Sequence, residues 1–139
     1  MSSVICLRTA SRLAAVVTAA AERHGSYGYG NPVMLVHAVT APNAVMRVLP
    51  VLPEAMWPAS LAAAWAATAA VTAVYAPAEP RLLPQPRPDL TIAELADRAV
   101  AIGDPHAIKY ADAVADVLAA APDPALLSAA VRSVDELAD

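Results

Sequence analysis

The sequence predicts an all-α fold, a single domain of six or seven helices, from three observations. Apolar residues make up 58% of the chain, and many of them are alanine, the residue with the highest helix propensity. No run of residues alternates between apolar and polar with the period of two that a half-buried strand shows. Prolines and glycines instead divide the chain into segments of helical length, and several of these segments begin with a capping residue.

The first helix is predicted over residues 4–24, with Gly25 ending it. Its apolar and charged residues fall on opposite faces, which is typical of an amphipathic helix in a soluble protein. The alternative is a weak signal-peptide core at residues 13–21, which follow two arginines. His24 lies in the last turn, where a histidine interacts favourably with the terminal carbonyl groups. The apolar face consists of Leu13, Val17 and Ala20.

A glycine-rich loop, GSYGYGNP, separates this helix from the next. Its glycine spacing matches no nucleotide-binding motif. Pro32 suits the first turn of a second helix, and Pro42 is expected to interrupt that helix. A short third helix is then predicted over residues 43–49, before Pro50 and Pro53.

The next segment, residues 55–76, contains no charged side chain. It is long enough to cross a membrane, but alanine and threonine drive membrane insertion poorly. We therefore expect a helix over residues 58–76 that is buried on nearly all sides. Such a helix would lie at the centre of the domain and contact most of the other helices.

Five prolines and no glycine follow within residues 77–88, which predicts an extended, semi-rigid strap. Each side of the strap alone would be small, so we expect it to lie across the outside of a single helical domain comprising residues 1–139.

The second half of the chain has clear helix boundaries. Thr91 and Glu94 form the pattern of a capping box, and Gly103 is expected to end the helix that they begin. Asp104 is a suitable cap for the following helix, with Pro105 at its first position. A Pro-Asp-Pro break then precedes the last helix.

The composition restricts the partners of the chain. Charged residues make up only 16% of it, against ~25% in a typical domain, so we expect part of its surface to be covered by a second copy or by a separately encoded partner. A net charge of −4 without a basic stripe argues against nucleic acid. Cys6 is the only cysteine, which fits a core position and a reducing cytoplasm and excludes a cysteine-based zinc site. We predict a cytoplasmic protein that does not enter a membrane.

Two histidines and the only lysine are the candidates for chemistry. His106 and Lys109 are three residues apart on one helix and share a face. On the simplest interpretation His106 is exposed and Lys109 pairs with Asp112, while Asp116 is a solvated charge. His37 lies in an otherwise apolar helix, which predicts either a core histidine bonded to a carbonyl group or a ligand in a buried site.

Three stretches resemble the C-terminal part of the questin-oxidase-like family. They are NPVMLVHAVTAPNAVMRVLPVLP at residues 31–53, SLAAAWAATAAVTAVYA at residues 60–76 and DPHAIKYADAVADVLAAAPDP at residues 104–124. The pattern of that family has a His-Ala-Val-Thr helix, a tryptophan-bearing apolar helix and a His-x-Ile-Lys helix in this order. The resemblance covers residues 31–124.

The resemblance implies an α-helical non-haem iron oxygenase that opens a ring of polyketide-derived aromatic compounds by oxidative cleavage. It also implies that Fe²⁺ is held by His37, His106 and a carbamylated Lys109, since a carbamate needs the neutral primary amine that a buried lysine can offer. It assigns no separate catalytic residue.

The remaining histidine ligands of the family belong to an N-terminal part that this sequence does not match, and His24 is the only other histidine here. We therefore expect the site to be completed by a partner chain or a second copy. The alternatives are a non-catalytic helical assembly or binding protein and a degenerate fragment of the family.

Overall fold

Six α-helices follow one another in the computed structural model, which describes residues 4–138, with the side chain of residue 5 excluded. No strand occurs among the described residues, so the all-α prediction is confirmed, with six helices. The helices are α1 (Val4–Tyr27), α2 (Pro32–Val48), α3 (Trp57–Tyr75), α4 (Ile92–Ile102), α5 (Pro105–Ala120) and α6 (Pro124–Asp135).

Helix α1 continues through Gly25 to Tyr27, so the prediction that Gly25 ends it was wrong. A Cβ atom at position 25 would lie 2.9 Å from Cδ2 of Leu83 in the strap and 3.0 Å from Cβ of Ala129 in α6. Both distances are shorter than van der Waals contact. The glycine therefore allows two other segments to pack closely against the end of α1, and its role is decided by tertiary contacts.

Helix α2 is continuous, and the predicted break at Pro42 is absent from it. Proline has no N–H to donate to the carbonyl group four residues earlier, which belongs to Ala38. That carbonyl oxygen instead accepts a hydrogen bond of 2.9 Å from the hydroxyl of Thr68 in α3. The neighbouring helix thus satisfies the acceptor that Pro42 leaves open, and the helix continues to Val48.

Helix α5 has the central position that was expected of the alanine-rich helix. It contacts α1, α2, α4 and α6. Four side chains of α5 and α6 that are completely buried are Tyr110, Val114, Ala130 and Val134.

Helix α3 lies at the edge of the domain, where it packs mainly on α1 and α2. Ala64 is its only buried residue, whereas Trp65 is 61% exposed and Val74 is 72% exposed. The prediction of a central, almost completely buried helix was therefore wrong. Helix α3 lacks charged residues because much of it is alanine. Alanine favours the helical conformation but gains little free energy from burial.

The strap of residues 77–88 contains no helix, and it is bonded to α1 and α6. The backbone N–H of Arg81 donates to the carbonyl of Ser26 at 3.0 Å. The guanidinium of Arg132 donates to the carbonyl of Leu82 at 2.8 Å. Segments on both sides of the strap therefore belong to one helical body.

The boundaries of α4 and α5 are those predicted. The hydroxyl of Thr91 accepts from the backbone of Glu94, whose carboxylate in turn accepts from the backbone of Thr91, which is a complete capping box. Gly103 ends α4 with a φ of 75°, a left-handed conformation that favours glycine. Asp104 caps α5 through the backbone N–H groups of His106 and Ala107.

Candidate functional site

The candidate site lies where the middle of α2 meets the first turn of α5. His37 comes from α2 and His106 from α5, and their ring centroids are 5.6 Å apart in an edge-to-face arrangement. Capping residues fix the starts of both helices. The side chain of Asn31 accepts from the backbone N–H of Met34 at the start of α2, and Asp104 caps α5. Two histidines separated by 69 positions in the sequence therefore meet at one place.

Each imidazole presents the same nitrogen away from its own helix. Nδ1 of His37 lies 3.1 Å from the carbonyl oxygen of Val33, which can only accept, so Nδ1 carries the proton. Nδ1 of His106 lies 3.1 Å from a carboxylate oxygen of Asp104 and is the donor for the same reason. No hydrogen bond reaches either Nε2 atom from the described residues.

Asp104 holds His106 in this orientation. Its carboxylate also accepts the backbone N–H of His106 at 2.7 Å, and chiefly this bond lowers its pKa below the ordinary value. The carboxylate is thus ionised at neutral pH and can only accept hydrogen bonds. A carboxylate bonded to the second nitrogen of a histidine is the usual support of a metal-ligating imidazole.

Lys109 and His37 line an open groove of about 420 Å³ between α2 and α5. Lys109 is exposed, and the predicted pairing with Asp112 is not found, because Asp112 is bonded to Arg47 at 2.7 Å. No ion pair to Lys109 occurs within residues 4–138. The lysine therefore extends into the groove without a carboxylate partner from the described residues.

Arg47 is a groove residue that the sequence did not identify. Its guanidinium bridges two carboxylates of α5, with Nε 2.6 Å from Asp116 and a terminal nitrogen 2.7 Å from Asp112. Hydrogen bonding to Asp116, and then to Asp112, raises the pKa of Arg47, while the pKa of Asp116 is lowered by the same contact. The sequence pointed to this contact only through Asp112 and Asp116, two acids four residues apart on one face of α5. They anchor α2 to α5 rather than serve as isolated solvated charges.

Asn43 lies in the lining of the groove and has one buried polar atom without a partner. The residue is 4% exposed, and its amide oxygen has no hydrogen-bond partner among the described residues. A buried acceptor without a donor costs stability unless water or a ligand supplies the bond. Because this oxygen is inaccessible to solvent, it is an unsatisfied acceptor of the protein interior and not a contact open to a ligand in the groove.

His37 is exposed, so the expectation of a histidine enclosed within an apolar helix was wrong. The buried residues of α2 include Val36, Val39 and Asn43, which cover the side facing the core. At 100° per residue His37 falls on the opposite side of the helix. The apolar composition of α2 concealed this periodicity.

His24 lies in the last turn of α1, as the sequence predicted, and is not among the residues that line the groove. It is 1% exposed, its Nε2 lies 3.0 Å from the carbonyl oxygen of Pro32, and its ring packs on Tyr110. Burial is the main cause that lowers the pKa of His24, against the opposing influence of the Pro32 carbonyl and Glu136. His24 is thus a neutral core histidine at neutral pH.

The donor set fits a divalent metal in part. Two imidazole Nε2 atoms are suitably free, but no group of three His, Cys, Asp or Glu side chains is placed to hold a metal within residues 4–138. Lys109 is a cation in its unmodified form, and its exposure provides none of the desolvation that a neutral amine requires. The described residues therefore bring two imidazoles together without a third His, Cys, Asp or Glu beside them.

No protein-family model, curated protein or solved structure matches this chain.

Proposed function

We propose that this chain is one subunit of a metal-dependent oxygenase whose site is completed by a second chain. One observation carries the proposal: His37 and His106 lie 5.6 Å apart with both Nε2 atoms free and both Nδ1 atoms held by acceptors. Two histidines fixed in this manner resemble an incomplete metal site more than a pair of solvated surface residues. The exposure of His37 leaves room for ligands from another chain.

The metal is proposed to be Fe²⁺, in keeping with the resemblance to the questin-oxidase-like family. Iron would supply the redox chemistry that oxidative ring cleavage needs. The residues of this chain would have simpler tasks. His37 and His106 would bind the metal, Asp104 would keep the ring of His106 oriented, and Arg47 would hold the two helices at a constant separation.

Lys109 would become the third ligand once a covering chain excludes water from the groove. Its neutral amine would add to carbon dioxide and release one proton, which yields a carbamate with carboxylate oxygens. An arginine in this place could not make that ligand. The requirement for a covering chain follows from the exposure of Lys109, because desolvation is the physical cause that favours the neutral amine.

The substrate class rests on the resemblance alone. It would be an aromatic compound derived from a polyketide, opened by oxidative cleavage in the cytoplasm. The groove has a volume of about 420 Å³, and small-molecule sites commonly have volumes of ~300–1,000 Å³. A partner chain would deepen the groove and enclose such a compound.

Metal binding by the purified chain tests the proposal. Under anaerobic conditions Fe²⁺ or Co²⁺ should bind at one site. His37→Ala and His106→Ala should each weaken this binding ~10-fold or more. Asp97→Ala on the exposed face of α4 is the matched control and should leave the affinity unchanged. Binding that is absent, or equal in all four proteins, would contradict the proposal.

The lysine is tested separately with bicarbonate present. Lys109→Arg keeps the charge of the unmodified side chain but cannot form a carbamate, so it should lower the metal content of the assembled protein. If Lys109 is only a solvated cation, the arginine variant will bind as much metal as the wild type. That result would remove Lys109 from the ligand set and leave the two histidines.

A second candidate function is a non-catalytic helical assembly protein. The observation that favours it is the exposed apolar surface of α3, which needs a protein partner but no metal. The same metal-binding measurement separates the candidates. An assembled protein that binds no metal would support this second function.

A further inference from the structure

The sequence of the strap restricts its backbone to extended conformations. Five of the twelve residues at positions 77–88 are proline, and four others directly precede a proline. Proline fixes φ at about −65°, and the residue before a proline is confined to extended or polyproline II geometry. No bend or turn interrupts residues 80–87. This part of the strap is therefore a polyproline II helix, which has about three residues per turn and no internal hydrogen bonds.

The exposure of the strap repeats with the same period. Arg81 and Pro84 are partly buried, and the two residues after each of them are exposed. Arg81, Pro84 and Arg87 are spaced by one turn each and form one edge of the helix. The backbone of this edge donates to the domain at both ends, from Arg81 to the carbonyl of Ser26 at 3.0 Å and from Arg87 to the hydroxyl of Ser128 at 2.8 Å. One edge is thus anchored, and the other two edges face outward.

The outward edges carry apolar side chains. Leu82 is 91% exposed, the largest exposed fraction of any large apolar side chain among the described residues. Gln85 and Pro88 follow Leu82 on the same edge, and Pro86 beside them is also exposed. A leucine at this position does nothing to hold the strap on the domain. The strap thus presents a ridge of aliphatic and pyrrolidine groups to the outside.

The backbone between the two anchors is open as well. No hydrogen bond joins the backbone groups of residues 83–86 to any other of the described residues. The carbonyl groups of a polyproline II helix are not bonded to one another either. Those of Pro84 and Pro86 are therefore acceptors that an indole N–H or a phenol O–H of another molecule can use.

We propose that the strap is a docking ligand for a groove lined by tryptophan and tyrosine side chains on a different protein. Grooves of this kind bind polyproline II segments. Leu82, Pro86 and Pro88 would pack between the rings, while the polar ends of the rings would donate to the backbone carbonyl groups. Arg87 is 53% exposed and is paired only with exposed Asp89, so it favours an acidic residue at the rim of the groove.

A second copy of the chain offers no such groove within residues 4–138. The rings that lie close together among the described residues are His24 with Tyr110 and His37 with His106. Neither pair consists of two tryptophan or tyrosine rings, and the first pair is buried. The partner is therefore a protein with an aromatic groove of its own.

The anchors of the strap favour binding. A free peptide of this sequence would lose conformational entropy when a groove ordered it. Here Arg132 donates to the carbonyl of Leu82 at 2.8 Å. Arg81 forms an ion pair with Glu136 and donates to the carbonyl of Gly25 at 3.2 Å. Part of the entropy is thus lost when the domain folds, which strengthens later binding.

Binding of the purified full chain to proline-recognition modules tests the proposal. A panel of purified SH3 and WW domains supplies aromatic grooves that bind this helix. Biolayer interferometry with the immobilised chain should find at least one domain with a Kd below ~1 mM. Carbon-detected NMR should then show chemical-shift changes at exposed Leu82 and Pro86, with smaller changes at partly buried Pro84.

Two matched pairs of variants test the contact. Leu82→Gln should weaken binding at least ~10-fold, whereas Leu7→Gln, which changes a leucine that is 64% exposed on α1, should not. Pro86→Ala should also weaken binding, and Pro53→Ala, which changes an exposed proline outside the strap, should not. All four positions are exposed, so we expect each variant to fold.

Absence of binding to every domain of the panel at ~1 mM would overturn the proposal, as would a Leu82→Gln variant that binds like the wild type. Chemical-shift changes confined to residues outside the strap would also overturn it, because they would assign the contact to another surface. The proposal is independent of the metal site, since no strap residue lines the groove of His37 and Lys109. Leu82→Gln should therefore bind metal like the wild type.

Discussion

The continuity of α2 at Pro42 should depend on a single hydroxyl group. Ala38 is 3% exposed, and its carbonyl oxygen has no helical donor because Pro42 lacks an N–H. The hydroxyl of Thr68 takes that role at 2.9 Å. Thr68→Val keeps the shape of the side chain and removes the donor. An unsatisfied buried carbonyl costs ~1–3 kcal/mol, and the half-buried position of Thr68 places the expected loss at about 1–2 kcal/mol.

Thr72→Val is the matched control. The hydroxyl of Thr72 donates to the carbonyl of Thr68 at 2.8 Å. That carbonyl already accepts the backbone N–H of Thr72 in the regular helical pattern, so the hydroxyl is a second donor. Removal of a redundant donor leaves no acceptor unsatisfied. We expect a change within about 0.5 kcal/mol in the free energy of unfolding.

Pro42→Ala completes a double-mutant cycle. Alanine restores the N–H that bonds to Ala38, so in this background Thr68→Val should cost less than about 0.5 kcal/mol. The assay is urea unfolding followed by circular dichroism at one chain concentration, because association would shift the apparent stability. Equal costs for the Thr68 and Thr72 variants, or a cost that Pro42→Ala leaves unchanged, would refute the explanation.

Two further predictions concern the core around His24. Because burial lowers its pKa, the unfolded state binds a proton below pH ~6.5 that the folded state does not bind. The free energy of unfolding should therefore fall by up to ~1.4 kcal/mol per pH unit on acidification from pH ~6.5, and a pH series should show a smaller slope for His24→Gln. Gly28→Ala should destabilise the protein by about 1–3 kcal/mol in thermal or urea unfolding, because its Cβ would lie 2.7 Å from two ring atoms of His24. A flat pH profile, or an alanine variant as stable as the wild type, would contradict these expectations.

The helix ends that the sequence predicted correctly are those decided by neighbours in the chain. The capping box of Thr91 and Glu94 needs only three residues of separation, and the cap of Asp104 needs two or three. Gly25 and Pro42 were misjudged because distant residues decide their effect. Gly25 stays helical because Leu83 and Ala129 pack against it. Pro42 stays helical because Thr68 donates to the carbonyl of Ala38, which Pro42 leaves without a helical donor.

The candidate site was only partly predictable for the same reason. The shared face of His106 and Lys109 follows from helical spacing, but their proximity to His37 came only from the resemblance. The partner of Asp112 was misassigned. Lys109 was close in sequence, whereas Arg47 comes from another helix and bonds to two carboxylates at once. A planar guanidinium that bridges two acids has a geometric advantage over a single ammonium group.

The low content of charge predicted a covered surface, and the structure shows which apolar residues are exposed. If charged residues were sparse everywhere, the chain would be less soluble without a preferred site of association. Charged residues are absent from two long stretches, residues 24–46 and 55–78, and the second includes all of α3, whose exposed residues are apolar. The same helix bonds to α2 one residue from His37. That bond is made to the carbonyl of buried Ala38, whereas His37 is exposed and lines a groove formed by α2 and α5, so the exposed side of α3 and the groove are separate surfaces of the domain.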